Sequence, residues 1–361
     1  MYSAKKYRLL NAINPYHWVT WIRNKAFDKG LLASRAFELP VICVGNITVG
    51  GTGKTPHTEY LIKLLRDKYR LAVLSRGYGR KSRGYILAGK DVSMQQLGDE
   101  PYQIYTKFSD ITVAVDEKRV HGILALLSRK DEPEVILLDD AYQHRYVKAG
   151  MNILLIDYNR PVWRDCVLPF GRMRESVQGV ERADIVIVTK CPRSMSEGEM
   201  SRIKECVTKI KDVPVFFSTM RYGAHYPLFP SQAAPAPSVD KGCNILLVTG
   251  IAKPAPLKAE LERRGATVKL MQYADHHNFS AAELEKIASV FTAMSSGSII
   301  MTTEKDASRL ASYKSLPDII KNKIYVLPIE VEILNNEENL LNKKISDYVT
   351  ENSRDSIVPQ E

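Results

Sequence analysis

The residue pattern with the most specific chemistry is a glycine-rich stretch that ends in lysine and threonine. Positions 41–56 read Val-Ile-Cys-Val-Gly-Asn-Ile-Thr-Val-Gly-Gly-Thr-Gly-Lys-Thr-Pro. A short apolar run enters a turn in which Gly50, Gly51 and Gly53 allow the backbone to approach phosphate oxygens and point its N–H groups inward. The residues that follow read as a helix, whose N-terminus favours an anion. In this pattern Thr48, Gly50, Gly51, Thr52, Gly53, Lys54 and Thr55 form a phosphate cradle. Lys54 reaches the outer phosphates of a nucleoside triphosphate and the Thr55 hydroxyl ligates Mg²⁺. Thr48 stands where the usual G-x-x-x-x-G-K-[ST] pattern has its first glycine. The bland alternative is a strand-to-helix turn that binds nothing.

A second element suits the first. Val135-Ile-Leu-Leu-Asp-Asp140 is an apolar run ending in two acids, the form of a strand that delivers a metal-ligating carboxylate beside such a turn. Either Asp139 or Asp140 fits that role, although a strand ending in Asp often only caps a turn. Arg76 and Arg80 follow another strand, on the side where ligands sit in parallel sheets, and suit phosphate. Arg119, Arg172 and Arg174 read equally well as solvated surface. Gln143 and His144 come close enough after the paired acids to line a site, or to serve as hydrogen-bonded structure. Gly98-Asp-Glu-Pro101 reads as a helix start. Thr302-Thr-Glu-Lys-Asp306 ends a strand and begins a helix, with capping and ligand contact both open.

Positioning these residues requires an alternating chain. Strands are expected at Pro40–Gly45, Leu71–Ser75, Ile111–Val115, Val135–Asp139, Asn152–Asp157 and Asp184–Thr189, with helical spacing over Lys54–Tyr69 and Glu117–Arg129. Short apolar strands separated by helices indicate a parallel sheet covered on both faces. The fold class expected is α/β, a P-loop NTPase-like, doubly wound and mostly parallel sheet with a second, smaller α/β domain. Tyr222–Gly242, with Pro227, Pro230, Pro235 and Pro237, reads as a crossing between the two. The expected division is a basic amphipathic segment at 1–35, a nucleotide-binding domain at 36–221, a linker at 222–243, a smaller α/β domain at 244–334 and a polar tail at 335–361.

The chain has 361 residues and a formal net charge of +10, which favours anionic partners: phosphorylated substrates, anionic lipid or nucleic acid. No zinc-finger, RNP or helix-turn-helix pattern supports nucleic acid, so none is expected. The five cysteines are dispersed without a C-x-x-C pair, which argues for a reducing compartment. No transmembrane run or secretory signal is visible. Residues 1–35 carry seven basic groups against one acid, interleaved with Trp18, Trp21 and aliphatics. That composition describes a helix at an anionic membrane surface, or a helix packed on the core with its basic face in water.

Taken together, several runs carry a family resemblance. Val44–Pro56, Leu74-Ser-Arg-Gly-Tyr-Gly-Arg80, Gly98-Asp-Glu-Pro101, Asp139-Asp-Ala-Tyr-Gln-His144, Asp275-His-His277 and Thr302–Asp306 resemble, in order, the motifs of the tetraacyldisaccharide 4'-kinases. Ala141 stands where that family often has Gly, and Phe170–Glu175 varies a segment often written with Ala and Pro. The resemblance implies transfer of the ATP γ-phosphoryl group, with Mg²⁺, to the 4'-hydroxyl of an acylated glucosamine disaccharide 1-phosphate in lipid A biosynthesis. It implies work at the cytoplasmic face of the inner membrane. It also implies Asp99 as catalytic base, His276 as its partner across the inter-domain cleft, and Glu175 near Lys54 or Mg²⁺. Two kinase-fold rivals remain. A partition-type ATPase would carry a signature Lys where Val49 stands, and a soluble metabolite kinase would need no interfacial anchor.

Overall fold

The computed structural model describes residues 10, 12–230, 238–239, 242–275, 277–311, 313 and 316–353. The first half of the chain lays down strands β1 (Val41–Gly45), β2 (Leu71–Ser75), β3 (Ile86–Leu87), β4 (Thr112–Val115), β5 (Val135–Asp139), β6 (Met151–Asp157), β7 (Ile185–Thr189) and β8 (Val215–Tyr222). A second sheet follows, from β9 (Tyr226–Pro227), β10 (Asn244–Thr249), β11 (Thr267–Gln272), β12 (Ile299–Thr303) and β13 (Ile324–Leu327). The chain then returns to the first sheet as β14 (Ile329–Ile333).

The first sheet has the order β14-β8-β7-β6-β1-β5-β2-β4-β3 and the second β11-β10-β12-β13-β9. Pairing in the first is parallel except for the two edge strands, β14 and β3. Every residue of β1, β2, β5 and β7 is buried, as expected of strands covered on both faces. One face is covered by α2 (Lys54–Leu65), α4 (Asp99–Lys107) and α11 (Glu338–Glu351), which bring Leu61, Ile62, Ile104, Leu341 and Ile345 onto Ile42 and Val73. The other is covered by α5 (Arg119–Leu127) and α6 (Glu197–Thr208), through Ile123, Leu126, Met200 and Val207. Short α3 (Met94–Leu97) leads into α4. The second sheet is flanked by α7 (Ala255–Arg263) on one side and by α8 (Ala281–Thr292), α9 (Glu304–Ala311) and α10 (Asp318–Lys321) on the other.

Two strands depart from the sequence expectation. Val215–Tyr222 runs into the proline-rich crossing, whose composition masks it. Ile-Glu-Val-Glu-Ile at 329–333, placed by sequence in the smaller unit, alternates with period two and pairs antiparallel with β8. The chain therefore crosses between the sheets twice, after β8 and after β13. The crossings touch: Gly223 N donates to Pro328 O at 3.0 Å, and the Arg264 guanidinium donates to the carbonyls of Tyr222 and Gly223 at 2.8 and 3.3 Å.

Ahead of β1 lies α1 (Pro15–Asp28), whose inner side combines buried Phe27 with polar contacts. Buried Asn14 caps it, accepting from the amides of Tyr16 at 3.0 Å and His17 at 3.4 Å, and its Nδ2 donates to Leu168 O at 2.7 Å. Arg23 donates to Gln143 O at 3.1 Å, Asn24 to Glu175 at 2.8 Å, and Arg145 pairs with Asp28 at 2.7 Å. The outer side carries Ile13, Trp18, Val19, Trp21 and Ile22, all exposed. This departs in part from the packed-helix expectation: Lys25 meets water and Phe27 packs inward, but these apolar side chains also face out. Lys5, Lys6 and Arg8 lie outside the described residues. No described helix is long and apolar enough to cross a membrane. Replacing Asn14 by Ala removes both the cap and the tether, and should cost about 1–2 kcal/mol in urea unfolding; an unchanged midpoint would contradict the tether.

Candidate active site

Parallel pairing of β1 with β5 sets Val44 opposite Asp139. The glycine turn leaving β1 and the two acids leaving β5 therefore emerge together. They do so at the carboxyl ends of the strands, where the order reverses and α/β sheets hold ligands. Gly50 and Gly53 adopt φ of 104° and 87°, conformations L side chains rarely take, and a Cβ at Gly53 would lie 2.5 Å from Met220 Cε. Lys54 is the first residue of α2, and its Nζ lies 3.7 Å from Asp140 Oδ2. Asp140 itself has φ of 47°, which turns its carboxylate away from the strand and out of the core. Asp139 stays buried, its Oδ1 accepting from Thr58 Oγ1 at 3.0 Å. Burial first, then the charges of Asp140 and Glu100, push the Asp139 carboxyl up to about 7, opposed by Lys54 and Thr58.

The turn is held from three directions. Ile47–Val49 pairs with 172–174: Val49 N donates to Arg172 O at 2.7 Å and Arg174 N to Ile47 O at 2.8 Å, with Thr48 bridging Met173. Thr48 is not among the positive-φ residues, so this pairing tolerates a side chain where the common pattern has glycine. Inside the turn, Asn46 Nδ2 donates to Thr52 Oγ1 at 2.9 Å. From β7, Thr189 Oγ1 donates to Thr52 O at 2.8 Å, while Lys190 bonds both Gly51 O and Asp157, the latter at 2.7 Å. From within α2, His57 Nδ1 lies 2.7 Å from Gly53 O and Nε2 3.0 Å from Ser218 Oγ. Sequence reasoning missed Asn46, His57, Thr58, Thr189 and Lys190. The last two end and follow a strand it did find, at the ligand-facing end, and that position was the available signal.

Asp140 also receives Arg174 Nη1 at 3.1 Å, and the same atom donates to Gln143 Oε1 at 3.2 Å. Gln143 continues to Asn46 O at 2.7 Å and Glu175 Oε1 at 3.0 Å. Glu175 is buried and further engaged by Arg182 at 2.8 Å and by Asn24 of α1. Gln143 and Glu175 thus join the turn, the paired acids and α1 into one network, and Glu175 reaches Asp140 only through neighbours. Arg119 is buried, donates to Asp116 O at 2.9 Å, and is lowered to about 10 by burial and by the charge of exposed Arg76. Its field and that of Arg76 also reach His144, which burial drives down to about 4. Arg80 lies elsewhere: its side chain is buried against Glu117 at 2.6 Å and Gly84 O at 2.8 Å, shaping its own loop.

Asp99 is the first residue of α4, preceded by Gly98 at φ 93°, where a Cβ would meet Tyr78 O at 2.9 Å. The chain neighbour Glu100 is close enough to act on the charge of Asp139, so this helix start lies within electrostatic range of the paired acids. The Asp99 carboxylate accepts from Arg309 of α9. Thr302–Asp306 acts as a strand-to-helix junction: Asp306 accepts from Thr303 Oγ1 at 2.7 Å, Thr249 Oγ1 at 2.9 Å and Gly250 N at 3.0 Å. His276 lies outside the described residues. Its neighbour His277 bonds Glu283 at 3.0 Å, beside the capping box of Ser280 and Glu283 that starts α8.

His57 supplies a pH signature. Burial lowers it to about 4, so the neutral ring is what the folded protein holds, and the unfolded chain binds the extra proton first. Its contribution is full above the unfolded value of about 6.5 and is lost as pH falls toward 4, an effect of order 3 kcal/mol. The thermal midpoint of a His57→Gln variant should therefore fall less between pH 7 and pH 4.5 than that of the parent; equal falls would contradict this.

Comparison with known proteins adds a further set of observations. The model of the tetraacyldisaccharide-1-P 4'-kinase (LpxK) family matches residues 8–349. A tetraacyldisaccharide 4'-kinase of Phocaeicola vulgatus is 48% identical over 350 residues, covering 95% of this chain and 96% of that protein. One from Flavobacterium johnsoniae is 44% identical, covering 93% and 95%. The crystal structure of LpxK from Aquifex aeolicus in complex with ATP is similar with a TM-score of 0.72 at 28% identity, covering 96% of this chain and 99% of that one.

Proposed function

The chain belongs to the tetraacyldisaccharide-1-P 4'-kinase family, and on that premise we propose that it transfers the γ-phosphoryl group of ATP to the 4'-hydroxyl of a tetraacylated glucosamine disaccharide 1-phosphate. The observation that carries this reading is the register of β1 on β5, which puts Lys54 and the two acids at the mouth of one glycine turn. Phosphoryl transfer asks a protein mainly for alignment and charge neutralisation. Backbone N–H groups of Gly50–Lys54 cradle the phosphates and Lys54 turns from Asp140 to the transferred group. Thr189 and Lys190 keep the cradle in shape.

Asp139, Asp140 and the Thr55 hydroxyl offer hard oxygen donors, the set Mg²⁺ takes alongside phosphate oxygens. The elevated proton affinity of buried Asp139 beside Asp140 marks a place short of positive charge, which a divalent cation fits. Bound there, Mg²⁺ would neutralise charge on the β- and γ-phosphates. Asp99 accepts the proton of the 4'-hydroxyl as its oxygen attacks the γ-phosphorus and ADP leaves, with His276 as the partner of that base. Arg76 and Arg119 present positive charge toward the anionic acceptor, and Arg174 steadies Asp140.

The exposed apolar side of α1 meets the acyl-chain region of the cytoplasmic membrane leaflet, where the substrate resides. Because the inner side of α1 braces Gln143 and Glu175, deleting the helix would disturb the site as well as the anchor. Surface substitution separates the two. Trp18→Asp with Ile22→Asp should weaken partition into anionic phospholipid vesicles by about tenfold or more, roughly 1.4 kcal/mol, while nucleotide affinity stays as it was. Vesicle binding equal to the parent's would refute the anchor.

The defining assay supplies labelled ATP, Mg²⁺ and the acylated disaccharide phosphate, with a water-soluble sugar as control. Label should pass to the lipid and not to the sugar. Asp99→Ala should lower turnover by about 10²–10⁴-fold, the usual worth of a positioned base, with ATP still bound. ATP hydrolysis indifferent to any acceptor would replace this reading with an ATPase.

A further inference from the structure

Helices α4 and α9 belong to different sheets yet lie against each other, joined at both ends by buried charge. At one end Lys107, in the last turn of α4, bonds Glu59 of α2 and Glu304 at the start of α9. At the other, Asp99 at the start of α4 meets Arg309, in the last turn of α9. The two helices therefore run antiparallel.

The two ends differ in what they hold. Glu304 also accepts the amide of Ile329 at 3.2 Å, at the return crossing, so the Lys107 end ties helices to the frame. Arg309 instead has only 2% of its surface exposed and bridges two carboxylates. Its Nη1 donates to Asp306 Oδ1 at 3.2 Å and its Nη2 to Asp99 Oδ2. Asp306 is fully buried and cannot swing, because its other oxygen is taken by Thr249, Gly250 and Thr303. Gly250 in turn leaves no room for movement: a Cβ there would meet Ala274 O at 2.8 Å, Asp306 Oδ1 at 3.2 Å and His277 Cβ at 3.2 Å. Asp306, the anchor of Arg309, and His277 of the Asp275-His-His277 motif thus flank the same glycine. A planar guanidinium is the side chain that can serve two carboxylates with fixed geometry.

We propose that Arg309 is the positioning residue for Asp99. It transmits the placement of Asp306, and with it of the second sheet, to the carboxylate that takes the acceptor's proton. This rests on the reading of Asp99 as the base. On this account the second sheet does more than close over the nucleotide domain, because the base is aimed by a residue that sheet supplies. A simple tether between the halves would show itself in stability and in substrate affinity. A positioning residue shows itself in kcat, and only while Asp99 is present.

The test is steady-state kinetics of the full-length protein with ATP and the acylated disaccharide phosphate, with affinity for a non-hydrolysable ATP analogue as the measure of folding. Arg309→Met should lower kcat by about 10²-fold, the scale of an ångström's misplacement of a reacting group. KM for ATP and analogue affinity should stay within about twofold, since positioning without ground-state binding leaves them untouched. Arg309→Lys should recover part of the loss. Combined with Asp99→Ala, Arg309→Met should cause no further fall, the non-additivity expected of residues acting as one unit. Parental kcat in Arg309→Met, a loss in KM alone, or a multiplicative loss in the double variant overturns the proposal. Should the methionine variant fail to bind the analogue, Arg309→Gln, which keeps a donor toward Asp306, is held to the same criteria. Full activity in Asp99→Ala alone would instead remove the base reading, whatever Arg309 does.

Discussion

Two carboxylates stand side by side at the end of β5, one buried and one turned outward by a left-handed backbone. Like charges this close raise each other's proton affinity unless cations answer them. Lys54 and Arg174 answer Asp140, while burial presses Asp139 toward the neutral form against the hydrogen bond it accepts from Thr58. The site is thus a strained balance of charge, and its members come from four separate stretches of chain. Only the parallel register of two central strands brings the lysine-bearing helix to the acids; a slip of one residue would turn Asp139 to the opposite face.

The network around that balance extends further than a phosphate cradle needs. Through Gln143 and Glu175 it reaches α1, and through Glu100 and Asp99 it reaches α9. The proposed membrane-facing helix is joined to the phosphate turn by hydrogen bonds, and the proposed base is linked to the acids through the field of Glu100. Polar contacts on the inner side of α1 also free its tryptophans to face outward. The protein takes Phe27 and the polar contacts, and leaves the tryptophans and aliphatics outside.

Much of this was legible in the sequence because local pattern and chemistry coincide there. A glycine turn between a buried strand and a helix, or an apolar run ending in two acids, declares both its backbone geometry and its ligand class. The doubly wound parallel sheet followed from the same runs, and similarity to the Aquifex aeolicus structure bears it out. What escaped was long-range. Val215–Tyr222 was hidden by adjacent prolines, and Ile329–Ile333 was assigned to the nearer sheet although it pairs with β8. Lys190 and Arg309 look like ordinary surface cations until the fold places one on Gly51 O and the other between two acids. Arg80, whose motif suggests phosphate, is held by Glu117 and Gly84. Periodicity carries no information about which distant carboxylate a cation will meet.

The paired crossings at Gly223 and Pro328 carry a mechanical implication. Entry and exit of the smaller sheet are adjacent, so it is an insertion within the larger one and both flanking segments are anchored in the same body. Two connections bonded side by side permit flexing about the line that joins them and oppose torsion about the perpendicular. Any relative displacement of the two sheets is thereby confined to nearly one degree of freedom. Severing either connection alone would leave the α4–α9 ion pairs to resist torsion.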